Sequence, residues 1–344
     1  MRLTSIRLVR LGPFGDVTVP FAEDDGTPRA MTVLFGGAGV GKTTLLGAIA
    51  STRPGYAVAL APSGDATPLV VTEWSLGDDD RERPHSLRIA TPTGRVFEDE
   101  HAETMRRREQ AHFDRVAKDG GFVFFVVPST RWFSRQPIAL NAPSRTVARY
   151  DVRAPAVFDD ATRSDLARET KQALAYAAIT AALSSDRMPS PYARLGDAMA
   201  HVAERLASLA GFRYAGVDPA SLEPVFRDED GALLPFDALP TRARHLVAFG
   251  ALPLRALAAA YPARDPRDVE GVVAIDEIEL QLDSVAQNRI LLALRDVLPK
   301  VQWIVTTTSP IVAASAEERE VLALRKLPRA TEVQLFSGAE ARVH

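Results

Sequence analysis

Nine consecutive residues restrict the possible folds of this chain more than any other stretch: Gly36-Gly37-Ala38-Gly39-Val40-Gly41-Lys42-Thr43-Thr44. The run satisfies G-x-x-x-x-G-K-[ST] and lies between Met31-Thr32-Val33-Leu34-Phe35, which reads as a strand, and Leu45-Leu46-Gly47-Ala48-Ile49-Ala50, which reads as a helix. In a strand-loop-helix unit of this kind the glycines let successive backbone N–H groups converge on a di- or triphosphate. The helix start adds its positive dipole end, and a lysine reaches the outer phosphate oxygens. Residues 36 to 44 are therefore expected to cradle ATP, with Lys42 on the β/γ oxygens and the Thr43 hydroxyl on Mg²⁺.

The second half of such a site is expected on another buried strand. Gly271-Val272-Val273-Ala274-Ile275 is uninterrupted and apolar, and it ends in Asp276-Glu277. A carboxylate at the C-terminal edge of a parallel core strand lies near the phosphate loop in α/β sheets. Asp276 is thus expected to hold Mg²⁺, and Glu277 to orient the attacking water.

Composition adds mainly exclusions. Among 344 residues 46% are hydrophobic and 25% charged, which suits a globular chain with a substantial core. A formal charge of −3 gives no global basic field, so contact with DNA would need a local patch or a partner. There are no cysteines, which removes disulfides, thiolate metal sites and cysteine nucleophiles and points to a reducing, cytoplasmic setting. The N-terminus alternates apolar and basic residues as a strand does, unlike a signal peptide. The longest candidate membrane stretch, 245 to 261, is broken by Pro253 and Arg255, so no membrane association is expected. The six histidines show no paired ligand spacing.

Along the chain, periodicity predicts a β-rich N-terminal lobe over 1–100 that opens as a meander feeding the phosphate loop, and an inserted, largely helical lobe over 101–235. A C-terminal α/β lobe over 236–344 follows, and the whole forms one domain. Helices are expected over 102–118, 159–183, 196–210, 245–260 and 286–298, and core strands over 122–127, 271–275 and 301–307. Arg106-Arg107-Arg108 reads as a solvated helix face, and Arg131-Trp132-Phe133-Ser134-Arg135 as packing and surface.

Asp276-Glu277-Ile278-Glu279-Leu280-Gln281-Leu282-Asp283 resembles the Walker B and D-loop of ABC-type ATPases, most closely the form found in the SMC/RecF/OLD-like group. The segment Val301 to Pro310, with Thr306-Thr307-Thr308-Ser309-Pro310, and the opening with Gly12-Pro13-Phe14 are similar to the same group. The resemblance spans about 1–50 and 236–327. It implies an α/β P-loop ATPase head with a β-rich N-terminal lobe, a central mostly parallel sheet and an inserted helical lobe. It also implies slow hydrolysis of ATP with Mg²⁺, an ATP-dependent dimer or higher oligomer, a separate effector protein and a setting in DNA maintenance or defence against foreign DNA. Asp283 falls at the D-loop aspartate, as a nucleotide-contacting residue.

Three departures shape the expectation. Thr308 stands where the group has its γ-phosphate-sensing histidine, and supplies a single neutral hydroxyl. The signature segment aligns with Leu239-Pro240-Thr241-Arg242-Ala243-Arg244, where proline replaces serine and arginine replaces glycine. Either Arg242 or Arg244 acts across a dimer as an arginine finger, or both merely solvate a helix start. Gln110 and Gln136 are the two candidates for the Q-loop glutamine. The competing reading is a nucleotide-dependent assembly module with little turnover. A transporter subunit fits less well, because Glu279-Leu280 follows the Walker B acids.

Overall fold

A computed structural model describes residues 1–52, 68–75, 86–91, 123–129, 131, 166–185, 190, 192–328 and 330–342, with 103, 104, 107, 108, 111 and 140 as isolated positions. Gln110, Gln136, Arg106, residues 132–135 and most of the 102–118 segment lie outside the described residues.

The centre is a six-stranded sheet ordered β13-β12-β3-β11-β10-β6. It is built from β3 (Met31–Phe35), β6 (Phe124–Val127), β10 (Gly271–Ile275), β11 (Val301–Thr307), β12 (Val321–Arg325) and β13 (Gln334–Ser337). All neighbours are parallel except β12 and β13. β3, β10 and β11 are buried at every position, as expected for strands covered on both faces. Their side chains alternate between two cores. Val33, Val273, Ile275, Trp303 and Val305 point into one, and Leu34, Val272, Ala274 and Ile304 into the other.

On the first face lie α2 (Leu166–Leu183), α3 (Leu195–Ala207), α4 (Thr241–Ala260) and α5 (Ser284–Val297). The second face carries α1 (Lys42–Ser51) and an antiparallel sheet ordered β2-β1-β4-β5, from β1 (Arg2–Leu11), β2 (Phe14–Pro20), β4 (Leu69–Ser75) and β5 (Ser86–Thr91). Trp74 of β4 meets Phe124 of β6 edge to face at 6.3 Å across this core. The two sheets are also joined by Gln302, whose buried amide accepts from Leu3 N and donates to Leu3 O, both at 2.8 Å. Each half of the amide finds a partner, so burying it costs little.

Two expectations are corrected. The opening is a hairpin and not a meander: β1 pairs with β2 and β4, while β3 leaves for the central sheet. Met31 to Phe35 is apolar at four of its five positions, with Thr32 the exception, and such a strand suits burial on both faces better than an antiparallel sheet with one solvated face. The middle of the chain also holds a three-stranded antiparallel sheet of β7 (Arg213–Val217), β8 (Pro224–Arg227) and β9 (Leu233–Pro235). These strands are short and lie mostly exposed or half-buried. Tyr214 and Phe226 pack their rings at 5.3 Å. A short helix, α6 (Pro310–Ser315), and a last turn of helix, α7 (Ala339–Arg342), complete the described elements.

Candidate nucleotide site

The C-terminal ends of β3, β10, β11 and β6 converge on one edge of the central sheet, and the predicted site residues gather there. After β3 the chain turns through Gly39 (φ 77°) and Gly41 (φ 94°), left-handed conformations that glycine adopts without strain. Gly41 is the N-cap of α1 and offers no side chain to the first-turn N–H groups, and no acidic residue lies in that turn. These donors and the positive end of the helix therefore face the loop without an acidic side chain from the helix's own first turn. Lys42 is buried, and its Nζ donates to Gly36 O at 2.7 Å and Gly37 O at 2.8 Å. Burial pushes its pKa down, and the carboxylates of Glu279, Asp276 and Glu277 oppose that shift.

Thr43 Oγ1 donates to Asp276 Oδ2 at 2.8 Å, which joins the two expected metal-binding groups across 233 positions of sequence. The fully buried Asp276 also accepts from Thr306 Oγ1 at 2.6 Å, and the same hydroxyl accepts from Glu277 N at 2.8 Å. Thr306 thus fixes both acids, from the strand between β3 and β10. Glu277 has φ 46° and is half-buried. Its carboxyl pKa is raised by burial and by the charges of Asp276 and Glu279, against the cations Lys42 and Arg131.

Beyond these acids, Glu279 Oε1 accepts from both Thr308 N and Thr308 Oγ1 at 2.7 Å, and its Oε2 is shielded with no hydrogen-bond partner among the described residues. Thr308 is therefore engaged within the chain. Asp283 is the N-cap of α5, accepting from Ala286 N at 2.9 Å through Oδ1, while Oδ2 pairs with Arg242 Nη1 at 3.1 Å. Both members of that pair are exposed. Arg244 Nη2 donates to Thr241 Oγ1 at 3.2 Å, within the first turn of α4. Ser309 caps α6 and donates to Gln287 Oε1 at 2.6 Å; Gln287 in turn donates to Leu282 O at 2.8 Å, linking the loop after β11 to the loop after β10.

The donor set fits a magnesium-bound triphosphate. Mg²⁺ is usually held by one or two protein oxygens together with water and substrate phosphates, and Thr43 with Asp276 supplies such a pair. Three carboxylates face two cations, so a divalent ion would also relieve their mutual repulsion.

Sequence reasoning gave no site role to Thr306 or Glu279 and read Arg131 as packing and surface, whereas its guanidinium bonds the carbonyls of Asp276 and Glu277. Thr306 could have been suspected as a polar residue ending an apolar strand, and Glu279 as a third acid within four residues. Arg131 has no comparable signal, because its function depends on β6 lying beside β10.

This architecture recurs in solved structures. Over 99% of this chain and 98% of the other, it superposes on an SMC head bound to the C-terminal winged-helix domain of ScpA, with TM-score 0.53 and 14% identity. It has an SMC-head-like fold. A Pyrococcus furiosus SMC head with an extended coiled coil, bound to the C-terminal domain of ScpA, matches over 98% of this chain and 96% of that one, at TM-score 0.51 and 14% identity. No family model matches the sequence. Among the described residues no helix is long and apolar enough to cross a membrane.

Proposed function

We propose that the chain, as one ABC-like head over 1–344, binds ATP with Mg²⁺ and hydrolyses it slowly, using the nucleotide to control self-association and thereby a partner protein. The observation that carries this reading is the 2.8 Å bond between Thr43 and Asp276, set beside a buried lysine and an uncapped helix start. In this reading the N–H groups of residues 36–44 and Lys42 hold the phosphates, and Thr43 and Asp276 hold the metal. The metal supplies charge neutralisation at the outer phosphates. Glu277, with its raised pKa, accepts a proton from the attacking water. A separate effector is suggested by the two SMC heads solved with ScpA domains. A place in DNA maintenance or in defence against foreign DNA rests on the fold likeness alone.

A second reading, assembly without appreciable turnover, is favoured by one specific arrangement. Arg242 is tied to Asp283 and Thr308 to Glu279 within the same chain, so neither is directed at a nucleotide here. Action of Arg242 in trans would require it to leave Asp283 on dimerisation.

The test combines binding, turnover and mass. At about 100 times its dissociation constant, Mg-ATP should add roughly 2.7 kcal/mol of apparent stability. Lys42→Ala should abolish the thermal shift, and equal shifts for both proteins would end the proposal. Glu277→Gln should keep the shift while lowering steady-state hydrolysis by about 10² to 10⁴. Turnover per chain that rises with protein concentration and falls in Arg242→Ala or Arg244→Ala would favour the arginine acting in trans. Nucleotide-dependent mass in solution without turnover would favour the assembly module.

A further inference from the structure

Arg131 is a charged side chain of the site to which the nucleotide reading assigns no role. It lies just beyond β6, and although the residue as a whole is partly exposed its guanidinium is enclosed. Nε donates to Pro128 O at 3.0 Å; Nη2 donates to Asp276 O and to Glu277 O, the latter at 2.9 Å. The ring of Phe249, from α4, lies 4.9 Å beneath the guanidinium carbon. Nη1 is shielded from solvent and has no hydrogen-bond partner among the described residues. Burial draws the pKa down to about 10, with the neighbouring acids Asp276, Glu279 and Glu277 opposing it, so the group remains charged near neutrality.

What it grips is a strained piece of backbone. Glu277 at φ 46° is a non-glycine residue in the left-handed region, where the Cβ of an L-residue crowds the backbone. Such a conformation persists only where the surroundings over-determine it. Here Glu277 N is held by Thr306 Oγ1, Ile278 N donates to Thr306 O at 3.0 Å, and Leu280 N donates to Glu277 O at 3.1 Å. One guanidinium bonds the carbonyls of both Asp276 and Glu277, and the Phe249 face and Pro128 carbonyl orient it. A planar fork suits this task, and a lysine ammonium on a flexible stem does not reproduce it.

We propose that Arg131 is a positioning residue: by clamping the consecutive carbonyls of Asp276 and Glu277 it holds the left-handed turn that presents the Glu277 carboxylate. The consequence for rate rests on the ATPase reading above, but the clamp itself does not. Arg131→Met and Arg131→Lys in the full chain separate the two. Mg-ATP affinity, measured with a fluorescent ATP analogue displaced by ATP, should stay within about threefold of wild type, because the phosphate loop is untouched. In contrast, kcat should fall by about 10²-fold, the usual effect of displacing a reacting group by 1 Å. Arg131→Lys should recover less than about a tenth of that loss despite keeping the charge, since the shape of the fork decides the outcome. Hydrogen exchange of a peptide spanning 277–283 should accelerate about tenfold in Arg131→Met while β3 and β11 exchange as in wild type.

Unchanged exchange over 277–283 would overturn the proposal, as would full rescue by lysine or a parallel loss of affinity and kcat with exchange raised throughout the sheet. If wild type proves to have no turnover, the ATPase reading fails, and the exchange result alone then upholds or refutes the clamp.

Discussion

Replacing the phosphate-loop glycines by alanine one at a time isolates two physical costs that the loop combines. At Gly41 both apply. Its φ of 94° lies in the left-handed region, and an added Cβ would sit 2.6 Å from Pro13 Cγ and 2.8 Å from Cε2 and Cζ of Phe14. The left-handed penalty is about 1–2 kcal/mol. Overpacking adds about 1–3 kcal/mol, because the proline and the buried aromatic ring have little room to move. Gly41→Ala should therefore lose about 2–5 kcal/mol. Gly39 has φ 77° but nothing within 4 Å of its Cβ position, so Gly39→Ala should lose only about 1–2 kcal/mol. At Gly37 neither cost applies, and Gly37→Ala should leave stability unchanged or raise it by up to about 1 kcal/mol through the unfolded chain. Urea denaturation of the nucleotide-free proteins gives the order directly. Equal losses at all three sites, or Gly37→Ala as the worst, would refute the assignment of these costs.

The buried His245, whose Nδ1 lies 3.2 Å from Leu280 O, has its pKa lowered to about 3 by burial, with the charge of Arg131 adding to the effect. The unfolded chain takes up this proton below about pH 6.5 and the folded chain does not until about 3, so stability falls as pH drops through that window, by about 1.4 kcal/mol per pH unit. His245→Gln should flatten the slope between pH 6 and 5 in urea titrations; identical slopes would show that another group sets it. Within the helical face, Arg255 Nη1 donates to Glu169 Oε2 at 2.5 Å, both side chains being buried. Arg255→Met should cost about 3–5 kcal/mol, and adding Glu169→Leu should restore most of it, because the single change leaves the buried carboxylate to the longer 3.7 Å pair with Arg168 whereas the pair of changes removes both buried charges. Failure of the double variant to recover would mean that the ion pair contributes net stability.

Much of the candidate site was legible because its residues cluster locally in sequence. The run from Gly36 to Thr44 specifies a turn, a helix start and a lysine within nine residues, and Gly271 to Glu277 pairs a doubly buried strand with two acids. The uninterrupted apolar run of β10 and the predominantly apolar β11 were also legible as strands of a parallel core, whereas β3 was expected in the N-terminal meander. The order of those strands was not legible, since strand pairing depends on which buried faces fit and no local residue records it.

Only the tertiary structure put β11 between β3 and β10. That placement lets Thr306 bond Asp276 and the Glu277 amide at once, and the packing of β6 on β10 brings Arg131 to the same turn. In the sequence Arg131 is an arginine among aromatics, and Arg242 and Asp283 are 41 positions apart. Hydrogen bonds of 3 Å between residues so far separated exist only once the chain has been brought together by burial of its apolar strands. Sequence determined which groups were available to the site. The fold decided which of them meet, and at what distance.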